Sequence, residues 1–387
     1  MMEKVKGGIM MNKPLIKPSY YDEFVCSAGE CPISCCQQWK IEVDEATYQN
    51  WKLLQIGEPK KPLQQFVARN QEGNTIELTK ERCCPFLSET KLCNLVTTFG
   101  EEVLSHTCAT FPREVHEFEE RTEYVLATSC PEVVNLLHRL ERMELPSVEN
   151  ETPLDGIRRM LMMLVQQEEI SIPKALMIGF YLLLEIEEGG RSLEEAVEQG
   201  ITSEQLEELV AGIDGMPFSV INTFYEGDEL FLDIIYNYQN EGMYLSYLQP
   251  LVETASQYKN GYDMDVLCKE VEAFEQAFAA HSKLMRTYLA AELFYNGLMP
   301  GAEVIDVAIK LQWISLEYAV IRHALFLQWK TNGKQAISYE MVQEAIVLIG
   351  RMTGYEDKDL YEYLIDHFEA LVWEWGYLAL VVGNENV

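Results

Sequence analysis

No C-x-x-C pair occurs anywhere in the 387 residues, although the chain carries ten cysteines, so an ordinary zinc ribbon is excluded. The C-x-x-x-C-x-x-C spacing of radical enzymes is absent as well, because Cys31 and Cys35 are followed directly by Cys36. Basic residues are scarce: 30 Lys and Arg face 62 Asp and Glu, and a net charge of -32 leaves no counterion-releasing surface for nucleic acid. No uncharged apolar run reaches the length of a membrane span. The most apolar windows, Trp313 to Trp329 and Phe368 to Val382, are interrupted by Glu317, Arg322 and His323, and by Glu369 and Glu374. The opening residues lack a signal-peptide core, which predicts a cytoplasmic protein with reduced thiols and a disordered tail over 1–11. There is no fixed repeat period, which argues against a solenoid.

What the chain does have is a cysteine-dense opening. Phe24-Val-Cys-Ser-Ala-Gly-Glu-Cys-Pro-Ile-Ser-Cys-Cys-Gln-Gln-Trp39 packs four thiols into eleven residues. In a chain of intracellular character such crowding means a metal or an iron-sulfur cluster. Pro32 suits the first position of a helix with Cys31 near its N-cap, which would set Cys31 and Cys35 on one face. Cys36 would then point roughly 100° away from Cys35, so a polynuclear cluster, two ions, or one thiol left in the core are the available arrangements.

Nine of the ten cysteines precede residue 131, whereas the negative charge is concentrated later, with a net of -7 over residues 1–150 and -25 over 151–387. This split predicts a cysteine-rich metal- or cluster-binding module over 12–146 and an acidic all-helical domain over 147–387. The fold class is mainly α, a module with a short β-hairpin followed by an irregular helical bundle. Asp44 is expected to cap a helix over 45–54, Asn74 to Thr79 to form a strand, and Cys84 to Cys93 to supply its hairpin partner. Residues 100–105 read as a helix, 107–113 as a loop, and Cys130-Pro131 as the start of a helix through Met143. Ser192-Leu-Glu-Glu195 and Thr202-Ser-Glu-Gln205 are capping boxes. Further helices are expected over 153–167, 173–187, 230–240, 265–293, 304–330, 338–353 and 357–382.

The motif Phe24-x-Cys26-x4-Cys31-x3-Cys35-Cys36-x2-Trp39 resembles the opening of the flagellin lysine-N-methylase family, as do Cys84-Pro-Phe-Leu87, Leu92-Cys93, Thr107-Cys108-x-Thr110-Phe111-Pro112-Arg113 and Ser129-Cys130-Pro131-Glu132, in the same order. The skeleton is also similar to a wider group of zinc- or iron-chelating CxxxCC domains. Tyr288-Leu289 and Phe294-Tyr-Asn-Gly-Leu-Met-Pro300 resemble a later block of the methylase family. The resemblance implies methyl transfer from S-adenosylmethionine to lysine ε-amines of flagellin. It also implies metal ligation by Cys26, Cys31, Cys35, Cys36, Cys84, Cys93, Cys108 and Cys130, holding an iron-sulfur cluster (4Fe-4S) or zinc. No glycine-rich strand-to-helix turn is present, so the chain departs from the dinucleotide-binding type of methyltransferase.

Methylating an amine requires a neutral lysine and a sulfonium carbon in line with it. Acceptors and aromatic faces must hold the two cations. Glu30, Asp44, Glu132 and Tyr288 are the catalytic candidates, and Arg113 and Trp39 the cofactor-binding ones. Each has a plainer reading: Asp44 as an N-cap, Glu132 as a helix-start carboxylate, Trp39 as core, Arg113 as half of a salt bridge. The alternative function is a non-enzymatic, metal- or cluster-containing binding protein for a basic client.

Overall fold

Helices begin where the sequence provides a side-chain acceptor. Thr152 and Asp155 cap Pro153–Val165 reciprocally, and the two predicted capping boxes start Leu193–Gln199 and Ser203–Asp214. Ser171, Ser219 and Ser338 do the same, with one bond each, for Ile172–Glu187, Val220–Asn240 and Tyr339–Thr353. The computed structural model describes residues 13–383 apart from 71–72, 145, 149–150, 260, 262 and 355, so the expected tail at 1–11 lies outside the described residues.

The architecture is mainly helical, organised on one 28-residue helix, Val304–Thr331. It is apolar on nearly every side, which requires neighbours all round. Ile172–Glu187, Val220–Asn240, Leu245–Lys259, Tyr339–Thr353 and Trp375–Val382 pack against it. No helix among the described residues is long and apolar enough to cross a membrane.

Short strands occupy the first part. Leu15–Ile16 pairs parallel with Thr122–Leu126, which pairs antiparallel with Arg113–Glu117. Asn74–Ile76 pairs with Val67–Arg69, and Gln55–Ile56 with Lys61–Pro62. Two apolar clusters result: a small one from Ile41 to Val103 centred on Trp51 and Phe86, and a large one that joins Ile16 to Phe24 and Val125 to Met143 with the helices.

Several local expectations are corrected. Pro32 starts no helix; the chain turns there, because Gln38 N donates to Arg82 O (2.7 Å) and Cys84 N to Cys36 O (2.8 Å), drawing the segment into backbone pairing. Cys84 to Cys93 is a pair of turns closed by one Leu87–Cys93 bridge, and the partner of Asn74–Ile76 comes from before it. The helix predicted at 100–105 is only a single 3-10 turn, Glu101–Val103, and the α-helix lies before it at Asn94–Phe99, ending on Gly100, whose φ of +92° favours glycine. The loop predicted at 107–113 contains the short helix His106–Thr110. The long helices predicted over 265–293 and 357–382 are each interrupted, the first near Ala279–His281 and the second at Glu369, which is left-handed.

A buried charge cluster ties the hairpin to the first helix of the bundle. Arg121 binds Glu123 (2.6 Å) and Asp155 (2.6 Å), and Arg158 binds Glu123 (2.7 Å), all four side chains being at most 4% exposed. Burial alone would push the Glu123 carboxyl up, but Arg158 and Arg121 hold it below its ordinary range. That contribution is present above the unfolded glutamate pKa and lost as pH falls through the folded value. Glu123→Ala, which leaves two buried guanidiniums short of a partner, is expected to lower unfolding free energy by about 3–5 kcal/mol in urea titrations. Glu123→Gln is expected to weaken the acid dependence of stability measured the same way.

Candidate active site at the cysteine turn

The cysteine turn is held from the helical side. Arg351, 3% exposed near the end of Tyr339–Thr353, donates from Nη2 to Ile33 O (2.9 Å), from Nη1 to Ser34 O (3.2 Å) and Tyr244 Oη (3.3 Å), and from Nε to Ser129 O (3.1 Å). Its guanidinium also covers the Trp39 ring at 4.9 Å. The antiparallel bridge between Gln37 and Cys83 sets Cys36 beside Cys84, while the Cys83 thiol turns away to Gln37 Nε2 and Glu81 O. Cys93 stands at the start of Asn94–Phe99, Cys108 follows the Ser105 cap of His106–Thr110, and Cys130 precedes Pro131–Arg139.

Five thiols, those of Cys35, Cys36, Cys84, Cys93 and Cys108, line one cavity of about 120 Å³, together with Trp39, Trp51 and Phe86. Cys31 and Cys130 lie within electrostatic reach of Cys35, whereas Cys26 is exposed and its sulfur accepts from Ala28 N. A hydrogen bond from Cys36, and secondarily the Arg351 charge, bring the Cys35 thiol down to about 7. Cys36 is pushed far up by that same bond and by burial; burial lifts Cys84 and Cys130 to about 12 and Cys108 to about 11. A single tetrahedral zinc needs sulfurs about 2.3 Å from one point. Among the described residues no three His, Cys, Asp or Glu side chains are placed to hold one ion in that way.

Trp39, Thr107 and Phe111 also wall a second cavity of about 670 Å³, a volume suited to a cofactor-sized ligand. Trp39 meets Phe111 edge to face at 4.9 Å, forming the partition between the two. The larger cavity is lined by Glu114, Glu292, Glu317, Glu356 and Asp357 against Lys310 and Lys358, an excess of negative charge. Glu292 accepts from Thr128 Oγ1 and from Asn296 Nδ2 (3.2 Å), and Glu317 from Thr353 Oγ1 (3.1 Å). Burial pushes Glu292 up to about 7; burial and then the neighbouring Glu292 push Glu317 up to about 8.

The structure brings only part of the predicted set to these cavities. Trp39 is the partition itself. Tyr288 is fully buried behind the larger cavity, with Glu317 and Glu292 as its charged neighbours. Asp44 is occupied by Thr47 N (2.9 Å), Thr47 Oγ1 (2.8 Å) and His106 N (3.0 Å), bonds that hold it below its ordinary range against the upward push of burial. Arg113 donates to Phe24 O and lies over the Phe24 ring at 4.7 Å. Glu30 is exposed, and Glu132 sits in the first turn of Pro131–Arg139; neither lines a cavity described above. Sequence reasoning passed over Glu292, Glu317 and Arg351. Glu317 was visible as a charge interrupting an apolar window, and Glu292 lies inside the Tyr288 to Pro300 block; nothing marked Arg351.

Arg351→Ala removes four hydrogen bonds from a buried charged donor and is expected to destabilise the protein by about 2–4 kcal/mol. Amide exchange is expected to accelerate selectively around Ile33–Gln38, as read by mass spectrometry.

The model of the FliB lysine N-methylase C-terminal domain matches residues 158–381, more than half of the chain, and includes Glu292, Glu317 and Arg351. The flagellar biosynthetic protein FliU of Salmonella muenchen is 31% identical over 124 residues, covering 31% of this chain and 73% of that protein. Lysine-N-methylases of Salmonella typhimurium and Salmonella choleraesuis are each 31% identical over 124 residues, covering 31% of this chain and 31% of their own length. No solved structure matches the chain. With its C-terminal helices matched over this extent, and with such relatives, the chain belongs to the FliB lysine N-methylase family.

Proposed function

We propose that the protein is a lysine N-methyltransferase that moves methyl from S-adenosylmethionine to lysine ε-amines of flagellin, in the cytoplasm and before the subunits are exported. The observation that carries this reading is the acidic cavity of about 670 Å³ walled by Trp39 and Phe111 and built partly from the family's C-terminal helices. Both reactants are cations, a sulfonium and an ammonium, and a cavity with excess carboxylate and two aromatic faces favours both.

The thiols of the adjoining cavity, Cys35, Cys36, Cys84, Cys93 and Cys108, with Cys31 and Cys130 beside Cys35, form a donor set suited to a thiolate-held iron-sulfur cluster better than to one zinc ion. When bound, such a group would supply a Lewis-acidic iron for the amino and carboxylate groups of the donor. Arg351 holds the turn that presents Cys35, and Trp39 separates that anchor from the methyl-accepting space. Division at about residue 146 gives the two parts distinct roles, the thiols before it and the cavity's carboxylates, Glu114 excepted, after it.

The test is an anaerobic preparation incubated with purified flagellin and methyl-labelled donor, read by mass spectrometry of lysine-containing peptides and by iron, sulfide and zinc content. Donor-dependent methyl-lysine is the expected result, with iron and sulfide in the protein. Replacing Cys35 and Cys36 together by Ser is expected to lower donor affinity at least about tenfold, about 1.4 kcal/mol. Capture of flagellin without any methyl transfer would overturn the enzymatic reading in favour of a binding protein.

A further inference from the structure

Six acidic side chains are buried among the described residues: Glu123, Asp155, Asp228, Glu270, Glu292 and Glu317. Four have a basic partner. Glu123 and Asp155 share Arg121 and Arg158, Asp228 faces His323 at 3.1 Å, and Glu270 binds Lys330 and Lys334. Glu292 and Glu317 form no ion pair among the described residues, yet they lie within electrostatic reach of each other on the wall of one cavity. Burying a carboxylate without a counter-charge is costly, and two together more so. In the empty cavity protonation meets that cost, and a bound cation would meet it while keeping the carboxylates charged.

Two further observations point the same way. The hydroxyl of Tyr288, fully buried and directed toward Glu317, finds no hydrogen-bond partner of normal geometry among the described residues. Behind Glu317 the neighbouring helix carries Gly350, where a Cβ would stand 3.1 Å from Glu317 Oε1, so the space beside the carboxylate is kept open. The other charged groups facing the pair are Glu114, hydrogen-bonded by Tyr295 (2.5 Å), and Lys310, engaged by Asp357.

We propose that Glu292 and Glu317 together form the receptor for the ε-ammonium of the substrate lysine and accept its proton. The inference rests on the methyltransferase reading for its reaction, though not for its binding. The ammonium N–H proton passes to a carboxylate oxygen of the pair, giving a carboxylic acid and a neutral amine. The amine lone pair then forms the new N–CH₃ bond while the C–S bond of the sulfonium donor breaks, its electron pair remaining on sulfur as a thioether. The low-dielectric site that penalises two carboxylates also favours this neutral pair over an ion pair.

The test uses n-butylammonium as the lysine side-chain mimic and n-butanol as its uncharged control, with thermal unfolding as the binding readout on the full chain. Glu292→Gln and Glu317→Gln keep shape and are neutral, as the protonated carboxyls are, so both variants are expected to fold. The wild type is expected to be stabilised by n-butylammonium and not by n-butanol, and each variant to lose that preference. Affinity for S-adenosylmethionine, whose sulfonium still meets the aromatic walls and the remaining carboxylates, is expected to fall far less than that for n-butylammonium, while kcat for methyl transfer falls about a hundredfold, as for loss of a general base. Loss of donor affinity with n-butylammonium binding intact would assign the pair to the sulfonium and overturn the proposal, as would an n-butylammonium shift that persists in both variants. A wild type that binds n-butylammonium through the pair but transfers no methyl would leave the cation receptor standing and overturn its role as proton acceptor in methylation.

Discussion

One guanidinium joins the two sides of the site. Arg351 has lost nearly all contact with water and, among the described residues, has no carboxylate in exchange; its donors are met by the oxygens of Ile33, Ser34, Ser129 and Tyr244, and its face by Trp39. Taking such an ion out of water costs several kcal/mol unless its donors are satisfied. Three of those acceptors are backbone carbonyls, so meeting that requirement fixes the path of the main chain just before Cys35 and just before Cys130. One residue earlier on the same helix, Gly350 abuts Glu317. A single turn of Tyr339–Thr353 therefore registers the thiol turn against the carboxylate wall.

The two cavities share an electrostatic character as well as a wall. Thiols and carboxylates are both acids, and burial shifts Cys84, Cys108, Cys130, Glu292 and Glu317 toward their protonated forms. Arg351 is the buried positive charge beside the thiols, while Lys310 and Lys358 line the larger cavity. The protein alone thus stores protons where it lacks cations. A positive group placed in either cavity lowers the pKa of the acids around it and, across the thin Trp39–Phe111 partition, of those on the other side.

Much of the helical half was legible because caps and periodicity are local. Thr152, Ser192, Thr202 and Ser338 mark helix starts by hydrogen bonds within four residues, and the structure places helices there. The cysteine turn was misread because its conformation is decided elsewhere: Cys31-Pro32 is locally a good helix start, but bonds to Arg82, Cys84 and Arg351 outweigh one turn of helix. The same cause relocated the hairpin, since Asn74–Ile76 pairs with Val67–Arg69, a segment that carries an arginine and little β-branching. Asp44 illustrates a reading that local chemistry settled, with both of its oxygens engaged, by the cap and by His106.

The carboxylates of the site were half visible, and the reason is instructive. Five charged residues interrupt the two most apolar windows of the sequence, and nothing local distinguishes them. Arg322 pairs with Glu275, His323 with Asp228, Glu369 turns outward at a helix end, and Glu374 stands exposed at the start of Trp375–Val382. Glu317 alone of the five is buried as an acid without a cation, and its companion Glu292 reaches the same wall from a helix twenty-five residues earlier. Sequence pattern can locate a charge in an apolar helix, but whether that charge is compensated depends on which helix packs opposite it. Among such interruptions the uncompensated ones facing space are the ones a ligand can complete, because there the folded chain has left an acid without a cation, which a bound cation can supply.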